Sequence, residues 1–550
     1  MKKNSFIEGT FIATASVILV KILGMIYVVP FYIIVGSKGG ALYSYAYNIY
    51  LIFLSISSAG IPSAISKIIS EYSALGMTEA KTRAFKLGKK FIGYISVASF
   101  IVLFVFAEEL AVLILGNLTG GNTIEDVSFV IRCVSFAILI IPHLSVTKGF
   151  LQGHNYITPS SSSNLIEQIV RIFVILTGSY LAYKVFNSSL TLAVGIAVFG
   201  AFVGGVVAYI YLQRSIQKNK KALNLDKEYK KDNISDKAIL KKIAIYAIPF
   251  VIINLVNSVY NFVDMVLILR TLDHLGYTAS DAEFITSAIA TWGSKLCMIV
   301  NSIAMGMTVS LIPSIVEAYT KKNWDDLNHK INKSLQMIIY ISVPLTLGLS
   351  ILAIPVWTLF YNINHYGGEI LRVLIFTALF ANLYMIVTST LQSLNKYKAV
   401  YQSSIFGFLF KVVLNVPLMI LCNYIGIGAY YGALAATLIS FIISIYIGLH
   451  AISLEHKLSY KETIKQVLKL LVPALTMTAI LLVINMFLPF NVYSRTDAVK
   501  VILINAVIGG IIYLGISVKM KIPQYIFGGK DLEKIIKKLT FGKFKIKTKS

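Results

Sequence analysis

The sequence is poor in charge and in cysteine. Only 14% of its 550 residues are Asp, Glu, Lys or Arg, whereas soluble domains have about 25%. The three cysteines, Cys133, Cys297 and Cys422, lie inside apolar runs without the spacing of metal ligands or of a disulfide framework. No phosphate-binding G-x-x-x-x-G-K-[ST] loop occurs, so we do not expect ATP hydrolysis within this chain. The composition excludes an ordinary soluble domain and predicts neither a metal site nor a bound cofactor.

Long apolar runs dominate the sequence instead. Hydrophobic residues make up 57% of the chain, and the mean hydropathy is +0.75. The first run follows a short basic N-terminus but is too long for a signal peptide and lacks a cleavage site, so we expect an uncleaved first helix. About fourteen runs reach the roughly 20 residues needed to cross a bilayer. We predict an all-α polytopic membrane protein with spans at 9–35, 41–62, 91–116, 126–148, 161–186, 190–213, 243–269, 284–313, 335–361, 368–392, 399–422, 426–451, 466–488 and 498–518.

Positive charge is concentrated on one side of these spans. The chain has 50 Lys and Arg against 25 Asp and Glu, and most of the basic residues lie between apolar runs. The connections at 117–126, 272–283 and 362–369 contain neither Lys nor Arg. The positive-inside rule therefore predicts that both termini are cytoplasmic. The short outer loops lack paired carboxylates and metal-ligand clusters, so we do not expect an enzyme. The basic segments are 67–90, 214–242, 321–333, 457–469 and 519–549.

The sequence repeats itself once. SAISKIISEYSALG begins at Ser63 and SLIPSIVEAYTKKN begins at Ser310, so that Glu71 and Glu317 lie 246 residues apart. Further along, equivalent basic positions lie 240 residues apart: Arg132 with Arg372, and Arg171 with Lys411. Each repeat holds six spans, an even number, so both repeats begin on the same side of the membrane. Parallel repeats of this kind are typical of transporters with a site between the halves.

The repeat predicts the domain organisation. We expect an N-terminal six-helix half at 1–213 and a basic cytoplasmic linker at 214–242. A second six-helix half follows at 243–453. Two extra transmembrane helices at 454–520 and a basic cytoplasmic tail at 521–550 stand outside the repeat.

Two lysines lie deep inside predicted spans. Lys21 is about twelve residues into the first span, roughly 18 Å at 1.5 Å per residue, and Lys295 lies about as deep in the eighth. Snorkelling to the interface is difficult at this depth, and a charge there is costly unless it faces a bundle interior or an aqueous cavity. If both face the gap between the halves, they form an anion site. Asp264 in span seven is their counter-ion, a cation site or one member of a plain salt bridge.

Other intramembrane charges are predicted to be structural. Glu167 and Arg171 are spaced i, i+4, which places them on one helical face where they can neutralise each other. Arg132, Arg372 and Lys411 occupy repeated positions, which indicates a requirement of the fold. Gly200 and Gly204 form a small-xxx-small pair that favours close helix packing.

Three tyrosines share one face of the second span. Tyr43, Tyr47 and Tyr50 follow the i, i+4, i+7 pattern near the predicted outer end of that helix. The first interpretation is an aromatic belt at the membrane interface. The alternative is a surface that contacts the sugar of a substrate.

The order and identity of several motifs resemble one known family. The stretches are KILGMIYVVPFYIIVGSKGGALYSYAYNIY, AGIPSAISKIISEY, FLQGHNYITPSSSSNLIEQIVRI and GMTVSLIPSIVEAY. They resemble the MurJ/YtgP group of lipid II flippases, in the oligosaccharidyl-lipid branch of the superfamily that includes the MATE exporters. SpoVB-like sporulation proteins are the next most similar group. The likeness runs over nearly the whole chain.

The resemblance implies a structure and a cargo. It implies fourteen helices, a central cavity lined by spans one, two, seven and eight, and a groove formed by spans thirteen and fourteen. The implied cargo is undecaprenyl-pyrophosphate-linked disaccharide pentapeptide, moved between leaflets of the bacterial cell membrane. Family members carry basic residues at the positions of Lys21 and Lys295, and buried lysines are suitable partners for a pyrophosphate. Alternating access between the halves follows from the repeat.

The chain departs from the family pattern in two places. Tyr27 stands where many Gram-negative relatives have a second arginine. Span eleven has no acidic residue where some relatives have a proposed sodium site. Sodium coupling is therefore not supported, and an ion or the membrane potential remain open as driving forces.

Two other functions are compatible with this architecture. A MATE-type exporter of organic cations would need an acidic, aromatic pocket, whereas the pocket predicted here is basic. A non-transporting scaffold for cell-wall enzymes would tolerate loss of both deep lysines. The sequence does not separate a peptidoglycan precursor from teichoic, capsular or sporulation-specific precursors. Partners expected besides the substrate are membrane lipids and cell-wall synthesis enzymes, with no nucleic acid.

Overall fold

The computed structural model describes residues 6–58, 60–220, 223, 234–456 and 459–527. Every regular element in these ranges is a helix, as the long apolar runs predict. By packing, the chain divides into two compact units, residues 1–292 (unit 1) and 293–550 (unit 2). These units are defined by contacts, whereas the predicted domains follow the sequence repeat. The predicted boundaries at 213, 242, 453 and 520 therefore stay predictions.

Unit 1 contains ten α-helices and three short π-helical segments among its described residues. The π-helical segments are Val174–Gly178, Leu181–Val185 and Ala288–Trp292. The α-helices are α1 (Phe6–Ile26), α2 (Val28–Ser58), α3 (Ile61–Ala74), α4 (Thr78–Val105), α5 (Ala107–Leu115), α6 (Ile124–Gly153), α7 (Ile157–Phe173), α8 (Leu190–Lys218), α9 (Asp236–His274) and α10 (Ala279–Ser287).

The boundary between the first two predicted spans lies at one residue. Helix α1 ends at Ile26, and α2 continues the apolar run until Gly36. Gly36 has φ 65° and ψ −168°, in the left-handed half of backbone space that glycine enters without a Cβ penalty. The predicted turn at 36–40 is thus a single non-helical residue, and the α2 backbone is helical again beyond it.

Glycines allow the helices of unit 1 to approach closely. A Cβ at Gly204 of α8 would lie 2.6 Å from the backbone oxygen of Glu167 on α7. A Cβ at Gly200 would lie 3.2 Å from the backbone oxygen of Arg171. The predicted small-xxx-small contact is confirmed, because α8 presses directly against the backbone of α7. This contact fixes the helix that carries Glu167 and Arg171.

Unit 2 contains the remaining nine described helices. Helix α14 packs against α11, α12, α13 and α16, while α12, α17 and α18 pack against one another. Across the described residues of both units, twelve helices are long and apolar enough to cross a membrane. The bounds are α11 (Gly293–Thr320), α12 (Trp324–Ile351), α13 (Ala353–Tyr361), α14 (His365–Ser393), α15 (Tyr397–Tyr424), α16 (Ala429–His456), α17 (Lys461–Phe487), α18 (Arg495–Lys519) and α19 (Ile522–Phe527).

Candidate functional site

Lys21 lies on a helix that runs parallel to α7. The hydroxyl of Ser16 on α1 donates to the backbone oxygen of Ser161 at 2.9 Å. A Cβ at Gly24 would lie 3.4 Å from Nε2 of Gln168. Both contacts join residues about 144 positions apart, so α1 and α7 run in the same direction with a constant register. Lys21 is one turn before Gly24 and shares its face, and its side chain is half-buried within unit 1.

The predicted pairing of Glu167 with Arg171 is wrong. The Glu167 carboxylate instead accepts from Nζ of Lys148 on α6, at 3.0 Å. The side chains of Lys148 and Glu167 are 14% and 22% exposed, so their ion pair is mostly buried within the protein. Sequence spacing could not find Lys148, because it comes from a neighbouring helix rather than from the next turn of the same one.

Arg171 is directed toward aromatic rings. Its guanidinium carbon lies 5.8 Å from the centre of the Tyr47 ring. Its charge also interacts with the neighbouring Tyr27, Tyr43 and Tyr50. We call these four tyrosines, Tyr27, Tyr43, Tyr47 and Tyr50, the tyrosine cluster. Its rings belong to α2 and to the α1–α2 junction, so Arg171 lies on the inner face of α7.

The aromatic-belt interpretation does not hold for Tyr43 and Tyr50. These two side chains are 1% and 3% exposed, which places them inside unit 1 rather than at a lipid interface. Tyr43 and Tyr47 stack with their ring centres 5.7 Å apart, and Tyr47 and Tyr50 lie 6.2 Å apart. The i, i+4, i+7 pattern identified a shared face correctly but not the direction in which that face points.

A second layer supports the tyrosine cluster. The Tyr43 ring contacts Phe31 at 5.2 Å and Trp292 at 5.7 Å between ring centres. Nearby, the hydroxyls of Ser44 and Thr291 hydrogen-bond at 2.6 Å, and Nδ2 of Asn48 donates to the Thr291 hydroxyl at 3.0 Å. These contacts hold α2 against the π-helical segment 288–292 and fix the orientation of the tyrosine face.

The other predicted site residues lie in different surroundings. Asp264 is buried on α9 of unit 1, and Lys295 is half-buried on α11 of unit 2. Lys411 is buried on α15, whereas Arg372 on α14 is exposed and pairs with Glu369 at 3.5 Å. Arg132 is half-buried on α6. The predicted roles of these residues stay predictions.

A buried carboxylate lies where α10 meets the loop before α6. Glu283 on α10 is 2% exposed and accepts from the backbone N–H of Asn122 at 2.8 Å and from its Nδ2 at 2.9 Å. Burial raises the pKa of the Glu283 carboxyl, while the Asn122 donors and Lys38 oppose that rise. A Cβ at Gly121 would lie 2.8 Å from this carboxyl, so the loop needs glycine there. Sequence patterns did not identify Glu283.

Unit 2 contains an apolar cavity of about 380 Å³ between α12, α17 and α18. Its few polar side chains hydrogen-bond within the protein. The Tyr340 hydroxyl meets Ser517 at 2.9 Å, and Nδ2 of Asn505 donates to Asn485 at 2.8 Å. The wall is formed by Ile341, Pro344, Leu345, Gly348, Leu349, Leu352, Met477, Leu481, Ile502, Ala506, Gly509, Gly510, Tyr513 and Leu514, with Tyr340 and Asn505.

Clusters of side chains that bind metal ions are another kind of site that the described residues could form. In the ranges that the structure covers, no group of three or more His, Cys, Asp or Glu side chains could hold a metal ion. What the geometry offers is cations and hydroxyls in unit 1 and an alkyl-lined cavity in unit 2.

Known proteins share both the sequence and the fold. The family model described as polysaccharide biosynthesis protein matches residues 6–319, and the MatE model matches residues 249–416. Lipid II flippase MurJ of Bacillus subtilis (strain 168) is 33% identical over 537 residues, covering 96% of this chain and 97% of that protein.

Solved structures share the fold of this chain. A lipid II flippase MurJ in an inward closed conformation matches with TM-score 0.70 and 17% identity, over 93% of this chain and 99% of that one. An inward-facing multidrug resistance MATE transporter matches with TM-score 0.61 and 15% identity, over 80% and 96%. The prediction of an all-α membrane protein with about fourteen transmembrane helices is confirmed by this shared fold. The chain is therefore a multi-pass membrane protein that belongs to the MurJ family of lipid II flippases.

Proposed function

We propose that this protein moves lipid II, the undecaprenyl-pyrophosphate-linked peptidoglycan precursor, from the inner to the outer leaflet by alternating access. The observation that carries the proposal is the 33% identity to a lipid II flippase over nearly the full length of both chains. Domain content alone would not suffice, because the MATE transporters share the fold. Identity along the whole chain extends to the helices outside the repeat as well as to the two halves.

The cationic residues are proposed to bind the pyrophosphate. Lys21 on α1 and Lys295 on α11 are both half-buried, and a lysine in the membrane interior needs a polar or anionic partner. Their joint action on one ligand rests on the sequence argument from the repeat. Asp264, Tyr43, Tyr47 and Tyr50 are proposed to complete the headgroup site.

The prenyl tail is proposed to use the apolar cavity of unit 2. The cavity lies beside α17 and α18, the two helices that the resemblance associates with a groove. Its walls are almost wholly aliphatic and aromatic. An alkyl chain gains about 0.8 kcal/mol per buried CH₂ relative to water, but in a bilayer it competes with lipid, so fit and access decide its occupancy.

Charge favours this function over export of organic cations. A cation pocket needs carboxylates or open aromatic faces. Around α1, α6 and α7 the intramembrane charges are Lys21, Arg132, Lys148 and Arg171 against Glu167 alone. An interior with this balance attracts anions and repels organic cations.

The orientation of the protein is also part of the proposal. We propose that both termini and the segment 214–242 are cytoplasmic and that the loop 117–126 is external. Thr119 and Gln217 are both exposed and suit cysteine labelling in a chain whose native cysteines are replaced by serine. An impermeant thiol reagent applied to intact cells should label Thr119→Cys only. Labelling of Gln217→Cys alone would reverse the orientation and the proposed direction of transport.

Complementation tests the function directly. Cells depleted of their own lipid II flippase should grow when this chain is supplied. Lipid II should then become accessible to an externally added enzyme that degrades it. Growth without externally accessible lipid II would assign the chain to another precursor or to a scaffold role.

A further inference from the structure

Arg171 is a deep cation that forms no ion pair with any carboxylate in the described part of the chain. It lies about ten residues into its predicted span, roughly 15 Å from the start at 1.5 Å per residue, which is close to the middle of a hydrocarbon core about 30 Å thick. Its side chain is half-buried, and burial desolvates the guanidinium. Among the residues that the structure describes, the guanidinium forms no ion pair and donates no hydrogen bond, and its only ring contact is with Tyr47. All five of its N–H donors are therefore available.

The neighbouring acid does not neutralise Arg171. Glu167 is one helical turn away, but its carboxylate is engaged by Lys148 at 3.0 Å. The three side chains Lys148, Glu167 and Arg171 together carry one net positive charge. Gly204 and Gly200 hold this stretch of α7 against α8, so the helix cannot easily rotate to bring the guanidinium out to lipid.

Lys21 is on the same side of this helix pair. The parallel register of α1 and α7, fixed by the Ser16–Ser161 and Gly24–Gln168 contacts, places Lys21 level with residues 165–166. Arg171 lies about five residues further along, roughly 8 Å on the helix axis. It is also one turn after Gln168, on the face that meets α1. Two long cationic side chains at this spacing can reach the two ends of one small dianion.

The tyrosine cluster provides an aromatic surface for the Arg171 guanidinium of the Lys21–Arg171 pair. A ring beneath a guanidinium orients it and leaves its edge N–H groups pointing outward. Tyr47, the least buried of Tyr43, Tyr47 and Tyr50, presents its ring to Arg171. A cation–π contact does not replace the hydrogen bonds that a desolvated guanidinium requires. The arrangement is thus prepared for a ligand that accepts several hydrogen bonds at once.

We infer that Arg171, seated on Tyr47 and acting with Lys21, is a diphosphate-binding residue of unit 1 that selects lipid diphosphates over lipid monophosphates. Guanidinium binds phosphate oxygens bidentately, whereas an ammonium acts as a point charge. Lys21 therefore attracts one phosphate and Arg171 fixes the orientation of the other. The inference rests on the proposed function and adds to it a further cation, Arg171, which sequence spacing assigned to structure.

Binding by the purified full-length chain tests the inference. The probes are radiolabelled farnesyl diphosphate, farnesyl monophosphate and farnesol, with inorganic pyrophosphate as competitor. Arg171→Gln should weaken farnesyl diphosphate binding about tenfold or more, as expected for the loss of a charge-assisted bidentate contact. Arg171→Lys should lose less, and Tyr47→Leu should fall between the two. Binding of farnesol should not change in any of them, since it has no phosphate.

Two matched controls separate the site from general charge. Arg132→Gln removes a half-buried arginine of the same unit that lies about six residues into its predicted span, whereas Arg171 lies about ten residues into its own. The double variant Lys148→Met/Glu167→Gln removes the neighbouring ion pair and keeps Arg171. Both should bind farnesyl diphosphate as the unaltered chain does. Competition by inorganic pyrophosphate distinguishes recognition of the phosphates from recognition of the prenyl chain.

The outcomes are distinguishable from those for the proposed function. If the unaltered chain supports growth and binds farnesyl diphosphate, but Arg171→Gln folds and binds equally well, the role of Arg171 is refuted and the flippase proposal stands. An equal loss in Arg132→Gln would also overturn it. If the unaltered chain neither supports growth nor binds the diphosphate, both proposals fail. Should Arg171→Gln not fold, an unchanged preference for diphosphate in Arg171→Lys and Tyr47→Leu refutes the inference.

Discussion

The interiors of unit 1 and unit 2 differ in the polar and charged side chains that they contain. Around α1, α2 and α7, Lys21 is half-buried and Arg171 lies on the Tyr47 ring with its N–H donors available. In the cavity between α12, α17 and α18, the wall is almost wholly apolar. The Tyr513 hydroxyl donates to the Tyr340 backbone oxygen at 2.6 Å, although the Oδ1 atom of Asn505 has no hydrogen-bond partner among the described residues. One interior contains cations that can donate hydrogen bonds to a ligand, and the other presents an almost wholly apolar wall.

This difference corresponds to the two parts of a lipid-linked sugar. A diphosphate needs fixed cations, and a polyprenyl chain needs a predominantly apolar wall. Both surfaces are made from similar apolar helices.

The largest effect should follow from removal of the deep lysine. Lys21→Met keeps the side-chain length and removes the charge. Losing a desolvated charge contact costs about 2 kcal/mol or more, which is over tenfold in transport, so the variant should reach the membrane but not support growth. Lys21→Arg should retain part of the activity because it keeps the charge. Lys86→Met, at an exposed position of α4, is the control. An equal loss in that variant would show that Lys21 has no specific role in substrate binding.

A smaller effect should come from filling the apolar cavity. A Cβ at Gly510 or Gly348 would meet no atom within 4 Å, and both residues line the cavity. Gly510→Leu should therefore fold normally. It should remove about 1 kcal/mol of the binding free energy between the prenyl tail and the cavity, which corresponds to a loss of about fivefold in lipid II transport. Binding of the short probe farnesyl diphosphate in unit 1 should be preserved.

Gly515 provides the matched control for that experiment. It lies on the same helix, α18, its Cβ would also meet open space, and it does not line the cavity. Gly515→Leu should transport at the normal rate. Equal transport by Gly510→Leu and Gly515→Leu would show that the cavity holds no part of the substrate.

The sequence predicted the helices better than the contacts between them. Apolar runs predicted the spans, and small residues at 200 and 204 predicted the α7–α8 contact, because both depend on composition along one helix. The partner of Glu167 was missed since i, i+4 spacing describes neighbours on the same helix only. Lys148 approaches from α6 across the turn that joins α6 to α7. The role that depth predicts for Lys21 stays a prediction, and periodicity could not say whether the tyrosine face points to lipid or to protein.

The last effect is on stability rather than on transport, and it concerns the ion pair that replaces the expected one. Glu167→Gln leaves the Lys148 ammonium without its acid, and Lys148→Met leaves the carboxylate unpaired. Each should lower stability by roughly 1–3 kcal/mol, measured as thermal unfolding in detergent. The double variant should be more stable than either single one. Lys321→Met, at the exposed Lys321–Glu317 pair, should cause no measurable change, and additive losses in the double variant would mean that the two side chains do not act as a pair.

The most direct test of the central claim is the leaflet position of lipid II in cells that depend on this protein. With the unaltered chain, lipid II should become accessible to an externally added degrading enzyme. With Lys21→Met at equal membrane levels, it should remain protected, while Gly515→Leu should behave as the unaltered chain. Protected lipid II in cells that contain the unaltered chain, or full accessibility with Lys21→Met, would contradict the account.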